Sequence, residues 1–127
     1  MIPAAALVEL ARARRDDAAA LIRSKRYDGA IYICGYAVEL ALKARICKTL
    51  GWTEFRTTDE YRSVKTHSLE VLLRFSGVER KIKAKLGVEW SAVKKWSPEL
   101  RYDHTVAASA SDAQRMLEAT RKIMRAL

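Results

Sequence analysis

Asp28-Gly-Ala-Ile-Tyr-Ile-Cys-Gly-Tyr-Ala-Val-Glu-Leu-Ala-Leu-Lys-Ala-Arg-Ile-Cys-Lys-Thr-Leu-Gly51 reads as one long helix that is apolar almost all the way round. A helix with no face to give to water is predicted to run through the middle of a helical bundle. One stripe is small, with Ala30, Cys34, Ala37, Ala41 and Ala44 at helical spacing, and lets a neighbouring backbone approach. A second stripe is large: Ile31, Val38, Leu42 and Ile46. A third holds Ile33, Tyr36, Leu40, Cys47 and Leu50. The remaining polarity follows Tyr32, Tyr36, Glu39 and Lys43, and Glu39 and Lys43 stand one turn apart, able to pair as a polar core. Charges on a helix this buried must be satisfied, or must border a site.

Outward from this axis, Pro3 to Ser24 is predicted as the first helix, with proline suited to a first helical position. Leu7, Ala11, Ala18, Leu21 and Ile22 form its inner face. The connector Lys25-Arg26-Tyr27 is short, which implies antiparallel neighbours, with Asp28 as the N-cap of the central helix. Gly51 ends that helix as a C-terminal glycine. Residues 51–65 show no period and read as loop. Thr66 is expected to cap a short helix carrying Leu69, Leu72, Leu73 and Phe75, closed at Gly77. Val78 to Leu86 places Val78, Ile82 and Leu86 inward and Arg80, Lys81, Lys83 and Lys85 outward, and Gly87 interrupts.

A further short helix turns Trp90, Val93 and Trp96 inward and exposes Lys94 and Lys95, until Ser97-Pro98 breaks it. Glu99 to Ala110 reads as a loop with Arg101, Tyr102, Asp103 and His104, and Ser111-Asp-Ala-Gln114 as the capping box of the last helix. No strand or repeat signal appears. The expected fold class is all-α: an up-and-down four-helix bundle with one or two extra short helices before the last helix.

Composition narrows the function. At 127 residues the chain fits one domain, 1–127, large enough for a real core. Half the residues are hydrophobic and 31% charged, which argues against disorder. No uncharged apolar run reaches membrane-spanning length and no basic leader precedes an apolar stretch, so a cytoplasmic protein without a membrane anchor is expected. Cys34 and Cys47 lie about 20 Å apart along one helix at about 1.5 Å per residue, too far to bridge, and read as buried free thiols. Two histidines and two separated cysteines make no metal site, and no glycine-rich phosphate loop or nucleophile elbow is present, so no metal or cofactor is expected. Trp52, Trp90 and Trp96 read as core rather than base-stacking platforms. The outlier is charge: 24 Lys and Arg against 15 Asp and Glu give +9, a balance that favours polyanionic partners.

Four segments in order, Tyr27-Asp28, Gly35-Tyr-Ala-Val-Glu-Leu-Ala-Leu-Lys-Ala44, Thr66-His-Ser-Leu-Glu-Val-Leu-Leu73 and Arg101-Tyr-Asp103, resemble the HEPN family (higher eukaryote and prokaryote nucleotide-binding domains) over nearly the whole chain. The resemblance implies a bundle that commonly dimerises, associates with RNA or nucleotides, often in toxin–antitoxin or defence settings, and is frequently paired with a small nucleotidyltransferase protein. It also implies that active members are metal-independent ribonucleases, whose Arg holds the scissile phosphate while a His moves a proton. This chain departs from the active pattern: Arg101 and His104 have only two residues between them. The wider spacing occurs in Arg62-Ser-Val-Lys-Thr-His67, where His67 matches a structural position of the family instead.

Arg101 and His104 are the catalytic candidates, with Arg101 alternatively an ion-pair anchor for Glu39 and His104 a surface loop residue. Arg80, Lys81, Lys83, Lys85, Lys94, Lys95 and Arg101 are the candidate nucleic-acid contacts. Three functions fit: an RNA- or nucleotide-associated module without strong activity of its own, an RNA-cleaving toxin, or an interaction bundle that forms a homodimer. The first is the preferred reading.

Overall fold

The computed structural model describes residues 2–99 and 107–127. Its helices are α1 (Ala4–Arg23), α2 (Tyr27–Leu50), α3 (Leu69–Phe75), α4 (Glu79–Lys85), α5 (Gly87–Val93) and α6 (Ala110–Ala126). α2 is the sheltered helix its composition demands, with Ala30, Cys34, Ala37, Val38, Leu42, Ile46 and Cys47 all buried. Its outer turns depart from expectation, since Leu50 at the C-terminal end is half exposed.

Helix directions follow from contacts made along α2. α1 and α2 form an antiparallel hairpin around Lys25, whose φ of 61° makes the tight turn. Asp28 near the start of α2 accepts from the Ala108 N–H at 2.8 Å, and Arg45 near its end donates to the Leu127 carbonyl at 3.1 Å, so α2 and α6 run parallel. The chain from Gly77 beside Thr49 to Trp96 beside Tyr32 returns along α2 in the opposite sense, carrying α4 and α5 as one broken leg. α3 is the extra piece: His67 just before it meets Glu39, and Ser76 just after it accepts from Thr49, so it lies parallel to α2. The architecture is the expected all-α up-and-down bundle, its third leg broken and preceded by an added short helix.

Several boundaries moved for local reasons. Asp28 does not cap α2; the helix already begins at Tyr27, and the Asp28 carboxylate is spent on Ala108. Ser68 rather than Thr66 caps α3, accepting from the Val71 N–H, while Thr66 Oγ1 accepts from the Ser68 N–H. The capping box of α6 is Ser109 with Asp112, two residues earlier than Ser111 with Gln114. Gly87 opens α5 rather than interrupting, and the break falls at Leu86. Ile2–Pro3 pairs antiparallel with Glu54–Phe55, a two-residue ladder too short to leave a sequence pattern. Phe75 is exposed, because α3 turns only Leu69, Leu72 and Leu73 inward. Gly51 and Gly77 close α2 and α3 in the left-handed region, at φ 69° and 81°, where glycine is favoured.

Trp90, Val93 and Trp96 are buried as expected, and Trp90 and Trp96 each satisfy the indole N–H: Trp90 on the Glu70 carboxylate at 2.6 Å, Trp96 on the Tyr32 carbonyl at 2.9 Å. Trp52 is only partly buried and packs edge-on against Phe55 and Tyr61.

Candidate nucleic-acid interface

The cations of α4 divide by helical phase. Lys81 and Lys85, one turn apart, face a groove of about 320 Å³ against the end of α6, where Lys122 and Arg125 complete it. Ile82, Leu86 and Ala126 form its floor, and no carboxylate of the described residues lines it. Four cations around an apolar floor suit an anion, because their mutual repulsion is relieved by a phosphate-bearing ligand.

Lys83 points elsewhere and is held by Glu70 at 3.2 Å and Glu79 at 3.3 Å. Those hydrogen bonds hold the Lys83 ammonium above its ordinary range. Arg80, Lys94 and Lys95 are exposed and do not line the groove. Lys94 adds to the field that, after the Trp90 hydrogen bond and the Lys83 contact, draws the Glu70 carboxyl below its ordinary range. Lys122 reaches Glu89 on α5 at 3.6 Å while bordering the groove. The candidate cations therefore split into a groove pair, an ion-paired Lys83 and three surface residues. Lys122 and Arg125 escaped sequence reasoning, although their i,i+3 spacing was visible; only the docking of α4 on α6 makes them neighbours of Lys81 and Lys85.

The polar core is more developed than the sequence suggested. Glu39 is 3% exposed, and its two oxygens take Lys43 Nζ at 3.1 Å and His67 Nδ1 at 2.9 Å. Among the described residues the partners of Glu39 are thus Lys43 and His67. Nδ1 of His67 donates to the buried Glu39 carboxylate, and the His67 side chain remains 59% exposed. Such an arrangement fixes the orientation of the imidazole ring. Arg62, which shares the wider Arg/His spacing with His67, is exposed. Arg101 and His104 lie outside the described residues. No group of His, Cys, Asp or Glu among the described residues is arranged to hold a metal ion, and no helix among them is long and apolar enough to cross a membrane.

The sequence profile of the HEPN domain matches residues 4–127. The chain belongs to the HEPN family. No curated protein and no solved structure matches it. Within this HEPN fold, the groove between α4 and α6 and the Glu39–Lys43–His67 cluster each hold charge on a defined framework.

Proposed function

We propose that this HEPN protein is an RNA- or nucleotide-associated module that holds phosphates in the groove between α4 and α6 and has no strong activity of its own. The supporting observation is the convergence of Lys81, Lys85, Lys122 and Arg125 on a groove that no carboxylate of the described residues lines. Membership of the HEPN family supports a nucleotide or RNA as the ligand class. A cytoplasmic toxin–antitoxin or defence setting, a homodimeric state and a small nucleotidyltransferase partner belong to the same reading. Titrating a single-stranded oligoribonucleotide at several salt concentrations tests it. Binding should weaken steeply with salt, and Lys81→Glu or Lys122→Glu should weaken it further, because fewer neutralised phosphates release fewer counterions. Binding at low salt that both variants leave unchanged would remove the groove from the proposal.

A second reading, a metal-independent ribonuclease, draws on the Glu39-held His67 as a proton-transfer group. It requires RNA cleavage in EDTA that ends in a cyclic phosphate and disappears in His67→Ala. Cleavage that survives in His67→Ala and disappears in His104→Ala would transfer that role to the Arg101/His104 segment.

A further inference from the structure

A second and larger concavity, about 620 Å³, opens where the start of α1, the second half of α2 and the end of α6 meet. It is a trough rather than a hole: along α1 it runs from Ala4 to Arg15, about 16 Å at about 1.5 Å per residue, three turns of helix. Its floor is made of small and apolar side chains, among them Ala5, Val8, Ala11, Ala44 and Met124. Its rim carries Arg12, Arg15, Arg45, Lys48 and Arg125; no side-chain carboxylate of the described residues lines it, although Glu9 and Asp16 flank Arg12 and Arg15 from outside. Arg45 has its Nε–H buried with no acceptor among the described residues.

We infer that this trough docks an amphipathic helix of a partner protein, an apolar stripe of that helix lying on the alanine floor and its carboxylates meeting the cationic rim. The length is that of a short helix, and small floor residues let a second helix axis approach closely. Anchors at i, i+3, i+4 and i+7 suit such a groove. The rim selects the sign of the partner: Arg12 and Arg15 already meet Glu9 and Asp16 at 3.8 and 3.3 Å, but Arg45, Lys48 and Arg125 have no side-chain carboxylate at ion-pair distance among the described residues and are stabilised by added negative charge.

Two other occupants fit less well. An RNA backbone would meet the rim but leave Val8 and Met124 uncovered, because phosphates and sugars do not replace apolar contact. A second copy of this chain would bring another +9 toward the rim, and the exposed acids of its α6 are already matched, Asp112 to Arg115 at 2.7 Å and Glu118 to Arg121 at 3.1 Å. This surface is separate from the RNA groove proposed above, touching it only at Arg125.

The probe is a synthetic helical peptide of about three turns, with Leu at i, i+3, i+4 and i+7 and Glu on the flanks, followed by fluorescence anisotropy. Binding is expected to fall about tenfold or more in Lys48→Glu and in Ala5→Trp, which fills the floor at an exposed position, and to stay unchanged in Arg74→Glu on α3. Helix content by circular dichroism confirms that each variant is folded. The same peptide with Leu replaced by Ser should not bind. Equal affinity for the Ser peptide, or binding indifferent to Ala5→Trp and Lys48→Glu, overturns the inference. Oligoribonucleotide binding that is abolished in Ala5→Trp overturns it in favour of RNA, and a dimer dissolved by that substitution overturns it in favour of self-association. Loss of RNA binding in Lys81→Glu with peptide binding intact separates the two surfaces.

Discussion

The Trp96 indole occupies the space in which a side chain on Gly35 would begin, and its N–H donates to the Tyr32 carbonyl at 2.9 Å. Tyr36 packs edge-on against the same indole at 5.0 Å between ring centres, so one turn of α2 is shaped around Trp96. A methyl group at Gly35 must push the buried ring out of its seat. Gly35→Ala should therefore destabilise the fold by about 1–3 kcal/mol, although alanine favours helix. A urea midpoint equal to that of the unsubstituted protein would contradict this.

Glu39 and Lys43 behave as a unit. Lys43→Met leaves a buried carboxylate with His67 as its remaining partner, at a cost of about 1–3 kcal/mol. Replacing both residues with methionine removes the buried charge and should restore much of that loss, since apolar isosteres of a buried ion pair are often neutral or better. Chemical denaturation of the two variants compares them directly. A double variant weaker than the single one would show the carboxylate to be stabilising in itself.

Stability should fall on acidification through Glu70. Its folded carboxyl titrates below the ordinary value of 4.5, first because the Trp90 N–H holds it and then because Lys83 does. A group depressed in the folded state stabilises fully above its unfolded value, and that contribution disappears as pH drops through the folded one. Trp90→Phe removes the largest cause, so the carboxylate resonance of Glu70 should titrate at higher pH in that variant. An unmoved titration curve would assign the depression to charge alone.

For RNA, the phase of α4 makes a sharper statement than its net charge. Lys81→Glu with Lys122→Glu should flatten the salt dependence by about 0.7 in logarithmic slope for each single-strand phosphate left without its cation. Lys83→Gln should leave the slope nearly as it was, because Glu70 and Glu79 already hold that ammonium. Equal effects from all three positions would mean that diffuse charge, not the groove, binds the ligand.

The thiols report on the axis of the bundle. Burial pushes Cys34 up to about 11, against a smaller opposing effect of the Thr120 hydroxyl, and burial also raises Cys47. Thiolate is the reactive form, so iodoacetamide should modify neither residue at neutral pH until urea unfolds the chain. Rapid native labelling, read by mass spectrometry, would mean that α2 is not enclosed.

What could be read from the chain depended on range. The composition of residues 28–50 announced a buried helix, and the inward phase of Trp90, Val93 and Trp96 followed from spacing alone. Caps were misplaced by a residue or two at Asp28, Thr66 and Ser111, because several neighbouring oxygens compete for the same orphan N–H groups and tertiary contacts decide among them. The partners of Glu39 were half legible: Lys43 lies one turn away in sequence, whereas His67 arrives from 28 residues downstream. The groove was invisible for the same reason, since the cations at Lys81 and Lys122 meet only through the docking of two helices.

The parallel pairing of α2 with α6 has a consequence for synthesis on the ribosome. α2 emerges early, yet its clasps at Asp28 and Arg45 close on residues 80 and 82 positions later. Until the last helix leaves the exit tunnel, the nascent chain carries an apolar rod without its final cover, in the kind of state that chaperones bind. A premature stop before Ala110 would therefore yield not a smaller bundle but a sticky fragment.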